Sequence, residues 1–171
     1  MRAYFTIGIP CSGKSAWSER LISQKENIIN FSRTDIRNSM IKKKGKSLFD
    51  TPKDVRAKIN ITIDEISRCL PLICNLDVIF DNTNLVWSRL SSNAAHYYNN
   101  GWDVTFVIFP AENVVLKHPS QEKMLQQYHE MFSENNREHF ENFVDAYGIE
   151  IIYITNEEQY ELLHNDVERR G

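Results

Sequence analysis

The sequence predicts an α/β fold: a five-stranded, mostly parallel sheet with helices on both faces. Three observations on the 171 residues lead there. Short apolar runs alternate with stretches of helical periodicity, the pattern of βα units rather than hairpins. The first run, Tyr4-Phe5-Thr6-Ile7, passes straight into a glycine-bounded loop that opens a helix. A later run, Val78-Ile79-Phe80, ends on the carboxylate of Asp81. No internal repeat, linker or low-complexity stretch interrupts the pattern, so residues 1–171 are expected to form one domain.

The elements follow in order. After the first strand, Lys14 to about Lys25 reads as a helix with Trp17, Leu21 and Ile22 on one face. Ile28 to Phe31 is a second strand. A short helix from about Thr34 leads to a basic loop, Lys42-Lys43-Lys44-Gly45-Lys46. A long helix spans about Pro52 to Leu70, with Val55, Ile59, Ile63 and Ile66 as its apolar stripe, and Pro52 suits a first turn. Asp77 to Asp81 is the third strand. The helix after Asn84 ends at Gly101, a residue suited to the position just past a helix. Asp103 to Phe109 is the fourth strand. Helix returns from Pro119 to Phe132 and on to about Tyr147. Glu150 to Ile154 is the fifth strand, and Glu157 to Glu168 the last helix.

Composition excludes several classes. The chain is 42% hydrophobic, enough for a core, and no apolar run approaches the ~18 residues of a membrane span. The opening residues lack the plan of a signal peptide, so a cytoplasmic location is expected. With a net charge of −3, nucleic-acid contact has to come from a local patch. Cys11, Cys69 and Cys74 share no C-x-x-C spacing and read as reduced thiols rather than a zinc site.

Gly8-Ile9-Pro10-Cys11-Ser12-Gly13-Lys14-Ser15 fits G-x-x-x-x-G-K-[ST], between a strand and an amphipathic helix. Glycine allows close backbone approach and positive φ. Successive amides and the helix N-terminus then make an anion cradle. The expected ligand is ATP with Mg²⁺, bound by Gly8, Pro10, Cys11, Ser12, Gly13, Lys14 and Ser15. Lys14 would reach the β- and γ-phosphates and the Ser15 hydroxyl the metal. Cys11 occupies a free position, either as tolerated filling or as a thiol activated by the helix terminus. In a parallel sheet Asp81 lies on the same edge as the loop, which makes it a second metal-side candidate. Asn84 is a candidate cap for the helix that follows.

Ser32-Arg33-Thr34-Asp35-Ile36-Arg37 after the second strand and Asp81-Asn82-Thr83-Asn84-Leu85 after the third add to the loop. Together the three segments resemble the kinase domain of phage-type polynucleotide 5′-hydroxyl kinases and their zeta-toxin-like relatives. The resemblance covers most of the chain, extends to Lys123-Met124-Leu125-Gln126-Gln127-Tyr128, and implies a P-loop kinase fold. It implies Arg37 as an arginine that steadies the reacting phosphates. The family's general-base aspartate position is Thr34 here, and Asp35 stands one residue later. That shift turns a helical side chain by about 100°. Catalytic candidates are therefore Lys14, Asp35 and Arg37. Family lid arginines have no counterpart in Pro110 to Pro119, where Lys117 and His118 are the only cations; Arg137 lies beyond.

For the acceptor, the resemblance implies the 5′-hydroxyl of DNA or RNA; the lysine loop, by its charge, is either a patch that tracks a nucleic-acid backbone or a solvated charge run. Trp17, Trp87, Trp102, Tyr97 and Tyr98 are either stacking surfaces or core. Two other readings stay open. One is a kinase of a hydroxymethylated base in DNA or of a nucleoside-like molecule. The other is a nucleotide-binding regulatory module without transfer activity.

Overall fold

A computed structural model describes residues 1–42, 51–112, 114–116 and 118–170. Five strands form one sheet: β1 (Arg2–Ile7), β2 (Ile28–Asn30), β3 (Asp77–Phe80), β4 (Asp103–Ile108) and β5 (Glu150–Tyr153). Their order is β2-β3-β1-β4-β5, and every pairing is parallel. The helices are α1 (Lys14–Gln24), α2 (Arg33–Lys42), α3 (Lys53–Ile73), α4 (Trp87–Asn99), α5 (Pro119–Met131), α6 (Glu134–Ala146) and α7 (Asn156–Arg170). The basic-loop residues Lys43, Lys44 and Lys46, and Lys117, lie outside the described residues. Among the described residues no helix is long and apolar enough to cross a membrane.

β1 is central and buried on both faces, which is why it reads as an unbroken apolar run rather than an alternation. Ala3, Phe5 and Ile7 join one core with α3, α4, α5 and α6. Tyr4 joins the opposite core with Trp17 and Leu21 of α1 and Leu162 of α7. Phe5 centres an aromatic cluster, stacked on Phe80 at 4.6 Å and edge-on to Tyr97 at 5.9 Å and Phe106 at 6.2 Å.

The buried stripe of α3 is Ile59, Ile63, Ser67 and Pro71, and Ile66 is 39% exposed. A step of four residues drifts only about 40° around a helix, whereas a step of three turns back about 60°. The core follows the former. α3 also continues through Pro71 to Ile73 instead of stopping at Leu70. Proline has no N–H for the carbonyl one turn back. That carbonyl, on Ser67, accepts the Tyr97 hydroxyl at 2.8 Å instead. The Pro71 carbonyl takes the Trp102 indole N–H at 3.3 Å. Burial holds the Tyr97 hydroxyl protonated well above the usual phenol range. Tyr97 and Trp102 are thus core residues that cannot stack on a base.

Candidate active site

β1 delivers the chain to Gly8 at the carboxyl edge of the sheet. The Gly8 N–H donates to Thr83 O at 3.1 Å. A Cβ on Gly8 would lie 2.8 Å from Ser12 Oγ and 3.0 Å from Phe109 Cβ. Close approach, rather than backbone angle, is what this glycine provides. Gly13 does need its freedom, at φ 93°. So does Cys11, at φ 66°, where a side chain costs about 1–2 kcal/mol. Cys11 thus sits at a strained bend of the loop, and it is exposed. No side chain caps α1. The first-turn amides thus have no intrahelical acceptor, and the positive helix end faces the loop.

Lys14 is 7% exposed, and its Nζ donates to Ile9 O at 2.6 Å and Ser12 Oγ at 3.3 Å. Both are uncharged oxygens, so burial prevails over the pull of Asp81 and Cys11 and pushes the pKa down to about 8. The unfolded lysine holds its proton to the ordinary 10.5, so stability gained from this group rises between about pH 8 and that value. A phosphate anion would reverse the preference. Nucleotide binding is therefore expected to take up protons above about pH 8 and to weaken as pH rises further. Calorimetry in buffers of different ionisation enthalpy checks both.

Asp81 is half-buried just past β3, and Ser15 is exposed in the first turn of α1. Among the described residues no three His, Cys, Asp or Glu side chains gather as a metal cage. Magnesium keeps several waters and needs only one or two protein oxygens beside phosphate, a set that Ser15 and Asp81 can supply.

The turn after Asp81 is a junction. Asn82 Oδ1 accepts the Arg33 N–H at 3.1 Å, satisfying the first amide of α2. The Asn82 carbonyl accepts the Thr6 hydroxyl at 3.0 Å, and Thr83 O holds Gly8. Asn84, at φ 49°, donates to Thr6 O at 2.7 Å and Phe80 O at 3.2 Å. It does not cap α4, whose N-cap is Val86 without a side-chain bond. Asn84 instead spans the ends of two neighbouring strands.

On α2, Ser32 Oγ accepts the Asp35 N–H at 3.3 Å, which starts the helix. Thr34 and Asp35 are exposed. Arg37 is half-buried and its Nε donates to Asn60 Oδ1 of α3 at 3.2 Å. One turn earlier Arg33 pairs with Asp64 of α3. α2 is thus tied to the phosphate loop through Asn82 and to α3 through two arginines.

No family model matches the chain, and no curated protein matches it. Solved structures do. A chain of the Pnkp1/Rnl/Hen1 complex aligns at TM-score 0.51 and 22% identity, over 71% of this chain and 42% of that one. A chain of the Pnkp1/Rnl/Hen1 RNA repair complex aligns at TM-score 0.58 and 19% identity, over 81% and 46%. This chain spans less than half the length of both. A chain of the PezAT chromosomal toxin–antitoxin system of Streptococcus pneumoniae aligns at TM-score 0.52 and 16% identity, over 91% and 67%. The chain has the P-loop kinase fold.

Two residues past β4 stands Pro110, half-buried. Ala111 is buried there, and His118 is exposed at the start of α5 with its N–H on Gln121 Oε1 at 3.0 Å. Arg137 is exposed on α6 and bound to Glu141 of the same helix at 2.8 Å, an attachment that raises its pKa further. It borders a cavity of about 660 Å³ with Pro110, Tyr128 and Ile154, whose lining includes no residue of the phosphate loop. Trp17 packs edge-on to Tyr4 and Phe109, and Trp87 packs against Phe140 and Phe143 of α6. Tyr98 is the most exposed of the five aromatics and meets Tyr147 edge-on at 5.3 Å.

One neighbour of the phosphate loop carries no mark in the sequence. Gln159 of α7 is buried, and its Nε2 donates to Ser12 O at 3.0 Å and Pro110 O at 2.9 Å. It stands in a polar run, Asn156-Glu157-Glu158-Gln159, where nothing separates it from a solvated helix residue.

Proposed function

We propose that the chain is an ATP-dependent phosphotransferase that moves the γ-phosphoryl group to the 5′-hydroxyl of a polynucleotide. The observation that carries this reading is the shared junction at Asn82 and Thr83. Gly8 of the donor loop bonds Thr83 O, and Arg33 at the head of α2 bonds Asn82 Oδ1. Donor residues Lys14, Ser15 and Asp81 are thereby linked to the segment bearing Asp35 and Arg37. The nucleic-acid acceptor draws support from the likeness to a chain of an RNA repair complex and from the motif resemblance.

Phosphoryl transfer gains most of its rate from positioning and charge. In this reading the loop amides and Lys14 hold the β- and γ-phosphates, and Ser15 and Asp81 hold magnesium, which neutralises charge on the phosphates. Asp35 takes the proton of the acceptor hydroxyl as that oxygen bonds phosphorus and the ADP oxygen leaves. Arg37 has guanidinium donors beyond the Nε given to Asn60 and offers them to the acceptor side.

Radiolabelled γ-phosphate ATP offered with 5′-hydroxyl DNA and RNA, hydroxymethylated DNA and nucleosides tests the reading, with Lys14→Ala as the blank. Label at oligonucleotide ends is the expected result. Label only on internal bases or nucleosides would replace the acceptor. ATP binding without transfer would favour a regulatory module, a reading supported by Thr34 at the base position and by the side-chain tie of Arg37 to α3. Asp35→Asn is expected to lower turnover at least ~100-fold. Near-normal turnover removes Asp35 from the role of base.

A further inference from the structure

We infer that Gln159 is a positioning residue of the phosphate loop, its side-chain amide setting the direction of the Ser12–Gly13 peptide. This rests on the reading that Gly8 to Ser15 holds phosphate. Gln159 is 1% exposed and makes both of its amide N–H bonds to backbone carbonyls, Ser12 O at 3.0 Å and Pro110 O at 2.9 Å. The amide's orientation follows from these partners, because the reverse would set its oxygen against two carbonyl oxygens.

The other end of the amide shows that packing alone does not explain the residue. Gln159 Oε1 is buried with no hydrogen-bond partner among the described residues. An unmet buried acceptor is destabilising. A methionine of similar length would fill the same space without it. Nearby on α7, Leu162 already supplies the apolar contact: a Cβ on Gly13 would lie 3.7 Å from Leu162 Cβ. What glutamine adds is the pair of donated bonds.

Their consequence follows from peptide geometry. In a planar trans peptide the carbonyl and the next N–H point in opposite directions. Drawing Ser12 O toward α7 turns the Gly13 N–H away from α7, toward the open side of the loop. Ser12 Oγ is meanwhile engaged by Lys14 Nζ at 3.3 Å. Ser12 is thus held at both its backbone and its side chain. Through Pro110 O, the same amide ties the exit of β4 to the loop, joining two crossing points of the sheet edge that are 98 positions apart in sequence (Pro110 minus Ser12).

The test uses the full chain, Gln159→Met, and Leu162→Ala as a packing control. Mg–ATP and magnesium tripolyphosphate, which has no base or sugar, are titrated by calorimetry. Amide hydrogen exchange is followed over residues 8–15 in the free protein. Gln159→Met is expected to weaken both ligands at least ~10-fold and to speed exchange in the loop but not in β1. Leu162→Ala, at a matched loss of melting temperature, is expected to stay within ~3-fold of the parent. Unchanged affinities in Gln159→Met overturn the inference, as does an equal loss in Leu162→Ala. If Gln159→Met does not fold, Gln159→Asn, too short to reach both carbonyls, is read by the same criteria. If the parent chain binds neither ligand, the phosphate-loop reading falls. Exchange then decides the positioning role alone: faster loop exchange upholds it and unchanged exchange overturns it.

Discussion

Lys14→Met is expected to remove phosphate transfer while leaving the chain folded. The ammonium is a buried side-chain charge within the loop. Aimed at charge that develops during transfer, such a donor contributes ~10²–10³-fold in turnover. In the free protein the same group is a liability, buried against neutral oxygens with its pKa pushed down to about 8. Methionine matches its length and removes that desolvation, at the loss of two hydrogen bonds from a charged donor worth about 1.5–3 kcal/mol each. The sign of the stability change depends on pH. At neutral pH the parent carries a charged, disfavoured lysine, and the variant gains most. Above the unfolded value of 10.5 both states of the parent are neutral and that advantage is gone. Thermal melts from pH 7 upward should therefore show a rising trend in the parent, between about 8 and 10.5, that is absent from the variant. The labelled-phosphate assay reads the other half, and retained transfer would remove Lys14 from the mechanism.

Phe5→Ala is expected to cost about 3–5 kcal/mol, a large share of the ~5–15 kcal/mol that typically holds a domain together. Phe5 is 1% exposed on the central strand, and its ring touches Phe80, Tyr97 and Phe106, one from each of β3, α4 and β4. No neighbour can collapse into the space without leaving its own partners, since Phe80 is also packed on Phe31 and Tyr97 on Trp102. Urea unfolding measures the loss. A fall below about 1.5 kcal/mol would mean that the cluster repacks.

The loop from Gly8 to Ser15, between β1 and α1, was legible because its signal is local. Eight consecutive residues, a strand before them and a helix after them, specify the loop wherever they occur. The sheet was legible for a similar reason: fully buried parallel strands leave unbroken apolar runs. Boundaries failed where long-range bonds overrode local preference. Asn84 looks like a cap in its own window, yet its amide is spent on Thr6, 78 residues away in sequence. Arg37 looks free on a polar helix, yet it meets Asn60, 23 residues on. Gln159 meets Ser12 across 147 residues and stands beside two exposed glutamates, of which Glu158 accepts the Thr155 N–H one turn back. Ile66 was misread because an apolar residue three positions along a helix fits a stripe by eye, although the core follows the residue four positions along. The segment proposed for the acceptor is the harder half for the same reason: its side chains are set by how α2 meets α3, which no short window contains.

The kink-prone proline in α3 leads to one more conclusion. Pro71 brings no amide to the Ser67 carbonyl, and the Tyr97 hydroxyl donates there instead. A non-proline residue at position 71 would add an amide donor to an oxygen that has two lone pairs, and phenylalanine at 97 would remove the hydroxyl. Positions 71 and 97, on different helices and with no bond between their side chains, are therefore coupled through one carbonyl: losing the Tyr97 hydroxyl is expected to cost more with proline at 71 than with a residue that brings an amide.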